Sequence, residues 1–504
     1  MIARKSLLIM TANLTEGLLA FVSLYFISRY MGPGAYGIIG FAMGFVGLFS
    51  ILSNLGFNAA HVKRISEGKD LGRCIGTYMA AKIGFTGLMA AFVIGIIFFW
   101  KNIMGRGFES LDHELAVYII LGYFIVSSIA SISNDTFKAR KEIAKSELPI
   151  ITRAIARTCI IFFVAVSGWG TLALAFAYVF GDVIFLIFSM IFFKGYPIKK
   201  PSKEYFKNYA YFAAPLIVVV ASSVIMTNLD KVLIQLFWTA EEVGYYFASF
   251  RIINFIIMIA SSIGILLYPT ISGYHANKDT KSIKKITFLA ERYISMIVFP
   301  IVIGLVVLSE PAVRILLGSD FLPAIPIFTI LPFFALFEAI TAPYNYQLIG
   351  MNRPKLARNR IVIMVCINVI LNIILIPKDI KILGVNLFGL GAVGAAIATV
   401  VSYIAGMIYC RLAVWKLTGK NINPRILLHL LSASCMGITL YWLSNAFLVE
   451  RWYHLIGFAF IGLGIYFGIL FILKEFKKED LTFLIDVVHP RKMLDYIKSE
   501  IKEK

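Results

Sequence analysis

The sequence predicts an all-α polytopic membrane protein: 14 transmembrane helices, arranged as two six-helix lobes in a parallel pseudo-repeat with two further C-terminal helices. Three observations predict it. Apolar side chains make up 59% of the 504 residues and charged ones only 15%, against about 25% in soluble domains. The mean hydropathy of +0.83 is spread along the whole length and leaves no stretch for a large aqueous domain. Lys and Arg alternate between rich and poor loops, as expected of a chain that crosses a bilayer many times.

A bilayer core of about 30 Å needs roughly 20 helical residues. The first span, 6–28, follows Arg4 and Lys5; it runs too long for a signal peptide and lacks a small-residue cleavage site, so it reads as an uncleaved helix. The second, 36–60, starts after the turn Gly32-Pro33-Gly34. The third to sixth are 74–99, 114–137, 147–167 and 171–193, the last two parted by Ser167-Gly168-Trp169-Gly170. The seventh to tenth are 209–237, 242–268, 284–308 and 324–349, with Arg353-Pro354 beyond them. The eleventh, 357–376, stops at Pro377-Lys378-Asp379, and 389–412, 424–447 and 453–473 complete the set. The chain then divides into an N-terminal lobe (1–193), a cytoplasmic linker (194–208), a C-terminal lobe (209–412), a closing helix pair (413–473) and a cytoplasmic tail (474–504).

The formal net charge of +20 is a topology signal. With basic residues at the cytoplasmic edges of the spans counted as loop, the N-terminus, the loops after even-numbered spans and the tail hold 35 of the 48 Lys and Arg; the opposite loops hold 7 and the spans 6. That asymmetry predicts both termini on the cytoplasmic side of a cell membrane and leaves no basic face for nucleic acid. The tail, with 8 basic and 7 acidic residues, reads as a solvated or interfacial amphipathic segment. Five scattered cysteines and six dispersed histidines show no metal-ligand spacing, and no P-loop is present, so neither a metal nor a cofactor is expected. No loop exceeds about sixteen residues, which excludes a soluble catalytic domain. The sequence therefore predicts no enzyme and no catalytic residues. Gly40-x-x-x-Gly44 reads as a close helix contact.

Matching stretches recur about 210 residues apart. Gly37 to Ala42 opens the second span as Gly244 to Ala248 opens the eighth; Lys69-Asp70 recurs as Lys278-Asp279, and Arg140 to Lys145 as Arg353 to Arg358. Gly168-x-Gly170 recurs as Gly389-x-Gly391. Their constant order predicts a duplicated six-helix unit. An even number of spans keeps both copies in one orientation, an arrangement that places a transported substrate between the repeats.

Apart from charges at the span edges, twelve within the spans stand out: Lys82, Arg153, Arg157, Lys231, Arg251 and Arg292 against Glu16, Asp135, Asp182, Asp230, Glu291 and Glu338. Each would cost about 2.5–3.5 kcal/mol at mid-bilayer, so they must face protein or water. Helical spacing supports this. Asn13, Glu16, Gly17, Ala20 and Ser23 share one face of the first span, with Leu14, Leu18, Val22 and Tyr25 elsewhere. Arg153 and Arg157 lie one turn apart beside Ala154 and Thr158, and Gly244, Ala248, Arg251, Asn254 and Ser261 align on the eighth span. Ala335, Glu338, Thr341, Ala342 and Asn345 do so on the tenth. One reading is buried ion pairs that lock helices together, with Lys82 and Asp135 near enough to the span ends to snorkel. The functional reading is a water-filled cavity. There Arg153, Arg157, Lys82, Arg251, Arg292 and Lys231 attract an anionic headgroup, and Glu16, Asp182, Glu338, Asp230 and Asp135 can carry a proton or sodium ion.

Ser28-Arg-Tyr-Met-Gly-Pro-Gly-Ala-Tyr-Gly37, Asn54-Leu-Gly-Phe-Asn-Ala-Ala60 before a basic loop, and Asn228-Leu-Asp-Lys-Val-Leu-Ile234 running into Val243-Gly-Tyr-Tyr-Phe-Ala248 resemble one known group. It is the polysaccharide-transporter branch of the multidrug/oligosaccharidyl-lipid/polysaccharide exporter superfamily. The resemblance implies two lobes around a central cavity, alternately open to each side, that move a polyprenyl-linked oligosaccharide from the cytoplasmic to the outer leaflet. It also implies cavity arginines for the (pyro)phosphate and, by analogy with the related lipid II flippases, a lipid-tail groove on the last two helices. The alternative within the superfamily is a drug/cation antiporter that uses Glu16, Asp135 and Asp182 for its coupling ion.

Overall fold

A computed structural model describes residues 2–475 apart from 104, 106, 381–383 and 420–422, and only the backbone of 2–7, 10, 258–266 and 380. Seventeen α-helices make up nearly all of the described chain. They are α1 (Ile2–Tyr30), α2 (Gly32–Phe49), α3 (Phe57–Ser66), α4 (Leu71–Phe98), α5 (Leu111–Ala139), α6 (Ile143–Val166) and α7 (Thr171–Phe193). There follow α8 (Lys203–Phe237), α9 (Ala240–Ala276), α10 (Thr280–Val307), α11 (Ser309–Leu316), α12 (Ile325–Ile330) and α13 (Pro332–Gly350). The last are α14 (Pro354–Leu375), α15 (Gly391–Thr418), α16 (Arg425–Ala446) and α17 (Trp452–Ile472). A two-residue hairpin, Asp379–Ile380 paired with Val385–Asn386, sits in the connection between α14 and α15.

Each predicted span overlaps helix, although 36–60 is interrupted at 54–56. Among the described residues twelve helical stretches are long and apolar enough to cross a membrane; of the fourteen expected spans, α1 and α9, of 29 and 37 residues, fall outside that twelve. The chain is a multi-pass membrane protein. On α1, Leu14, Leu18, Val22 and Tyr25 are exposed while Ser23 is buried and hydrogen-bonds Thr158 of α6 at 2.9 Å. Ser261 and most of the tail, 476–504, lie outside the described side chains and residues.

Two boundaries differ from expectation. The second span ends early because Leu55 and Gly56 adopt positive φ (46° and 81°), which turns the chain out of the helix; α3 then starts afresh, with Asn54 Oδ1 accepting from the Asn58 N–H at 3.2 Å. The region 194–208 is no free linker. The Lys199 N–H donates to Gly72 O at 3.1 Å and the Ser202 N–H to Thr77 Oγ1 at 3.0 Å, which straps it along α4, while Lys203 already opens α8. Lys199 Nζ lies 2.7 Å from Asp70, whose carboxyl it holds below its usual range together with the Arg73 N–H that Asp70 caps.

α1 packs on α6, α5 on α7 and α2, and α6 on α7; in the second half α13 packs on α9, α10 and α15, α14 on α15 and α8, and α16 on α10 and α17. The halves meet where α2 lies along α9 and α8. α8 belongs to both groups. Tyr209 and Ala213 are buried against Phe57, Tyr78 and Ile132, whereas Met226 packs on Met364 and Val365 of α14, with Pro215 between the two regions. Asp70 and Asp279, matched in the sequence repeat, both N-cap a helix, accepting from the Arg73 and Ser282 N–H groups.

Candidate functional site

Between α1, α8 and α9 lies a cavity of about 720 Å³. Its wall mixes amides (Asn13, Asn228, Asn254), aromatic rings (Phe21, Phe247, Phe250, Phe255) and three charged side chains, Glu16, Lys231 and Arg251. The size lies within the range of about 300–1,000 Å³ that suits small-ligand sites. Amide and ring surfaces side by side suit a sugar, whose hydroxyls need hydrogen bonds and whose C–H faces stack on aromatics.

The glycine face of α2 sets Lys231 and Phe247 in place. Gly40 lies against Phe247, and a Cβ at Gly44 would come within 3.0 Å of Lys231 Cβ, so the small residues let α8 and α9 approach closely. Lys231 is 8% exposed; its Nζ donates to Asn228 Oδ1 at 3.3 Å and lies 5.3 Å from the Phe247 ring, with no carboxylate at ion-pair distance among the described residues. Arg251 forms no ion pair or hydrogen bond with the described residues; Tyr36, Tyr178, Tyr123 and Glu16 are its electrostatic neighbours. Among the described residues neither cation has a carboxylate at ion-pair distance, and in this partly apolar setting each attracts an anion more strongly than it would in water.

Arg153 and Arg157 sit behind Glu16. Arg153 donates to Glu16 Oε1 at 2.6 Å, and Arg157 Nη2 is 3.9 Å from the same oxygen. Arg153 also faces the fully buried Asp182 at 3.7 Å, where neither carboxylate oxygen makes a close hydrogen bond. The sequence stripes on α1 and α6 therefore do meet, but as a charge cluster behind the cavity wall.

A second polar site lies on a neighbouring face of α8, about 100° round the helix from Lys231. Asp230, 2% exposed, accepts from Asn372 Nδ2 at 2.5 Å, from Thr399 Oγ1 at 3.2 Å and from the Tyr246 hydroxyl. Asn372 also donates to Asn368 Oδ1 at 3.0 Å, while its own Oδ1 is buried without a hydrogen-bond partner. Besides the Asn372 Nδ2 donor, the site offers carboxylate, amide and hydroxyl oxygens and carries a single negative charge, chemistry that suits a hard monovalent cation or a proton.

The remaining candidates are placed elsewhere. Arg292 donates from Nε to Glu475 at 2.5 Å and does not line the cavity; its neighbour Glu291 takes Arg411, Tyr344 and Asn423 as partners. Glu338 pairs with Arg360. Lys82 is buried between α4 and α5 near Asp135, which accepts from Tyr78 at 2.7 Å. Sequence reasoning missed Arg360, Arg411, Arg425 and Glu475, because residues within a turn of a span end read as loop. Asn368 and Asn372, one turn apart in an apolar span, did carry a readable signal.

Known proteins show the same architecture. The chain is 24% identical over 402 residues to a probable low-salt glycan biosynthesis flippase, Agl15, of Haloferax volcanii, covering 80% of this chain and 81% of that protein. It is 22% identical over 460 residues to a probable flippase, AglR, of the same organism, covering 88% and 90%. In fold it resembles the lipid II flippase MurJ in an inward closed conformation, with a TM-score of 0.76 at 16% identity over 93% of this chain and 99% of that one. The sequence model described as polysaccharide biosynthesis protein matches residues 26–326, more than half of the length, and on that match the chain belongs to the polysaccharide biosynthesis protein family.

Proposed function

We propose that this protein is a flippase that moves a polyprenyl-(pyro)phosphate-linked oligosaccharide from the cytoplasmic to the outer leaflet of the cell membrane, for glycan or polysaccharide assembly. The observation that carries the reading is the pair Lys231 and Arg251, which face a sugar-compatible cavity without a carboxylate at ion-pair distance. The prenyl chain stays in lipid while these two hold the phosphate. The lobes 1–193 and 209–412 rock about the cavity, with 413–473 as an added helix pair and both termini cytoplasmic. Pro215, between the two packing regions of α8, supports a bend there. The family match and the two flippase relatives support the same reading.

The test is a proteoliposome assay in which an outside glycosidase trims a prenyl-phosphate-linked glycan as it appears in the outer leaflet. Lys231→Gln with Arg251→Gln is expected to lower the initial rate at least about tenfold with normal insertion, since a hydrogen bond to a charged group contributes about 1.5–3 kcal/mol. An unchanged rate removes both cations from the mechanism.

Ion coupling belongs to the same proposal and rests on Asp230. Neighbouring positions on α8 point Asp230 into the second lobe and Lys231 into the cavity, so a cation or proton taken up on one side shifts the helix that presents the other. Asp230→Asn is expected to abolish the response of flipping to an imposed sodium or proton gradient while protein levels hold. A mutant still driven by the same gradient would sink the assignment. The antiporter reading is weaker, because it needs free carboxylates in the cavity: Glu16 is paired with Arg153, Asp182 faces Arg153, and Asp135 lies outside the lining.

A further inference from the structure

Glu16 has two faces. It lines the cavity with its side chain 31% exposed, and it is the nearest carboxylate to both Arg153 and Arg157, which are 16% and 8% exposed and do not line the cavity. Arg153 keeps a second partner in Asp182, but among the described residues Arg157 has no carboxylate other than Glu16 at ion-pair distance and rests on the Tyr178 ring at 5.6 Å. Gly181 packs directly on the stem of Arg157, where a Cβ would come within 2.9 Å of Arg157 Cβ, so the guanidinium has a fixed path towards α1. Withdrawing one exposed side chain would therefore uncover a preformed cationic site in the first lobe, opposite Lys231 and Arg251 in the second.

We propose that Arg153 and Arg157 form a second anion subsite that Glu16 masks, standing in for a second negative charge on the headgroup. This rests on the flippase reading and deepens it: the resting cavity holds a singly charged phosphodiester on Lys231 and Arg251, and a headgroup with another charge binds fully only by displacing Glu16. That charge can come from the second phosphate of a diphosphate linkage or from an acidic sugar. Glu16 is thus a specificity-determining residue that sets the charge of the headgroup the cavity accepts. It acts by competition: a carboxylate tethered to α1 has a high local concentration and a ligand must outbid it.

The purified full-length protein can be tested with three short-chain prenyl probes: a phosphodiester-linked glucose, a diphosphate-linked glucose and a phosphodiester-linked glucuronic acid, each titrated by calorimetry. In Glu16→Gln the probes with a second charge should bind about tenfold tighter than to the wild type and the first probe about equally, the size of one charge-assisted hydrogen bond. Whichever of the two probes gains identifies the source of the charge. Adding Arg157→Gln to Glu16→Gln should erase the gain. Arg157→Gln alone should leave wild-type binding of the phosphodiester-linked glucose unchanged, because the arginine is masked, and this variant tests the idea even where Glu16→Gln is poorly stable. No gain in Glu16→Gln, or weaker phosphodiester binding in Arg157→Gln, overturns the masked subsite and leaves the Glu16 pair as a helix lock. Failure of the flippase reading looks different: the wild type and the Lys231→Gln, Arg251→Gln double variant would then bind the phosphodiester probe alike.

Discussion

Gly37→Ala is expected to destabilise the protein by about 1–3 kcal/mol or more, the usual cost of overpacking, and to open the cavity towards the face opposite the termini. A Cβ at this position would stand 1.6 Å from the Ala240 carbonyl oxygen and 2.9 Å from the Gly244 nitrogen. Both are backbone atoms, so no side chain can rotate away and α2 and α9 must separate. The reciprocal contact is as close: a Cβ at Gly244 would lie 2.1 Å from Pro33 O. Each glycine thus makes room for the other's helix, as matched positions of the sequence repeat would about a shared axis. Two polar contacts close the same end, Arg29 donating to Ile315 O at 2.6 Å and Gln235 to Glu109 at 2.6 Å. If the lobes rock, loosening the α2–α9 crossing favours the state in which this end is apart. A cysteine placed at Asn254 in the cavity wall would report it: Gly37→Ala should raise its labelling by an impermeant maleimide added outside and lower the thermal midpoint in detergent. Unchanged labelling together with an unchanged midpoint would refute the role given to this crossing.

Glu475→Gln is expected to cost about 3–5 kcal/mol, the range for stripping one partner from a buried ion pair. Glu475 is fully buried and binds the guanidinium groups of Arg292 on α10 and Arg425 at the start of α16; His429 Nε2 lies 3.5 Å away, and its Nδ1 contacts Ser295 at 2.8 Å. One carboxylate at the end of α17 therefore ties three helices together, and its loss removes a counter-charge that two arginines share among apolar helices. The closing helix pair should loosen first. Thermal unfolding of Glu475→Gln should begin well below that of the wild type, with earlier proteolysis between α16 and α17. Combining it with Arg292→Gln should cost less than the two single losses added together, because both changes remove the same Arg292–Glu475 interaction. Strict additivity would mean that the two residues do not interact.

The spans were legible because apolar length is a local property: a window of about 20 residues either can or cannot cross a 30 Å core. The need for the intramembrane charges to face protein or water was legible for the same reason, since the cost of burying a charge belongs to the residue alone. The break after Asn54 was not. It depends on two residues adopting positive φ inside an apolar run, and α3 is then held by packing on α4, α5 and α8.

By itself, then, the sequence determined an all-helical membrane protein with charges that had to be satisfied inside it, and the tertiary structure alone decided by what. Adjacent residues on a helix point about 100° apart. Asp230 therefore enters the oxygen site of α14 and α15 while Lys231 enters the cavity, and Glu291 finds Arg411 while Arg292 finds Glu475. Glu16 and Arg153 are 137 residues apart and Arg292 and Glu475 are 183. Burial cost is a one-body quantity written along the chain, whereas pairing is a two-body quantity, fixed only when the helices pack.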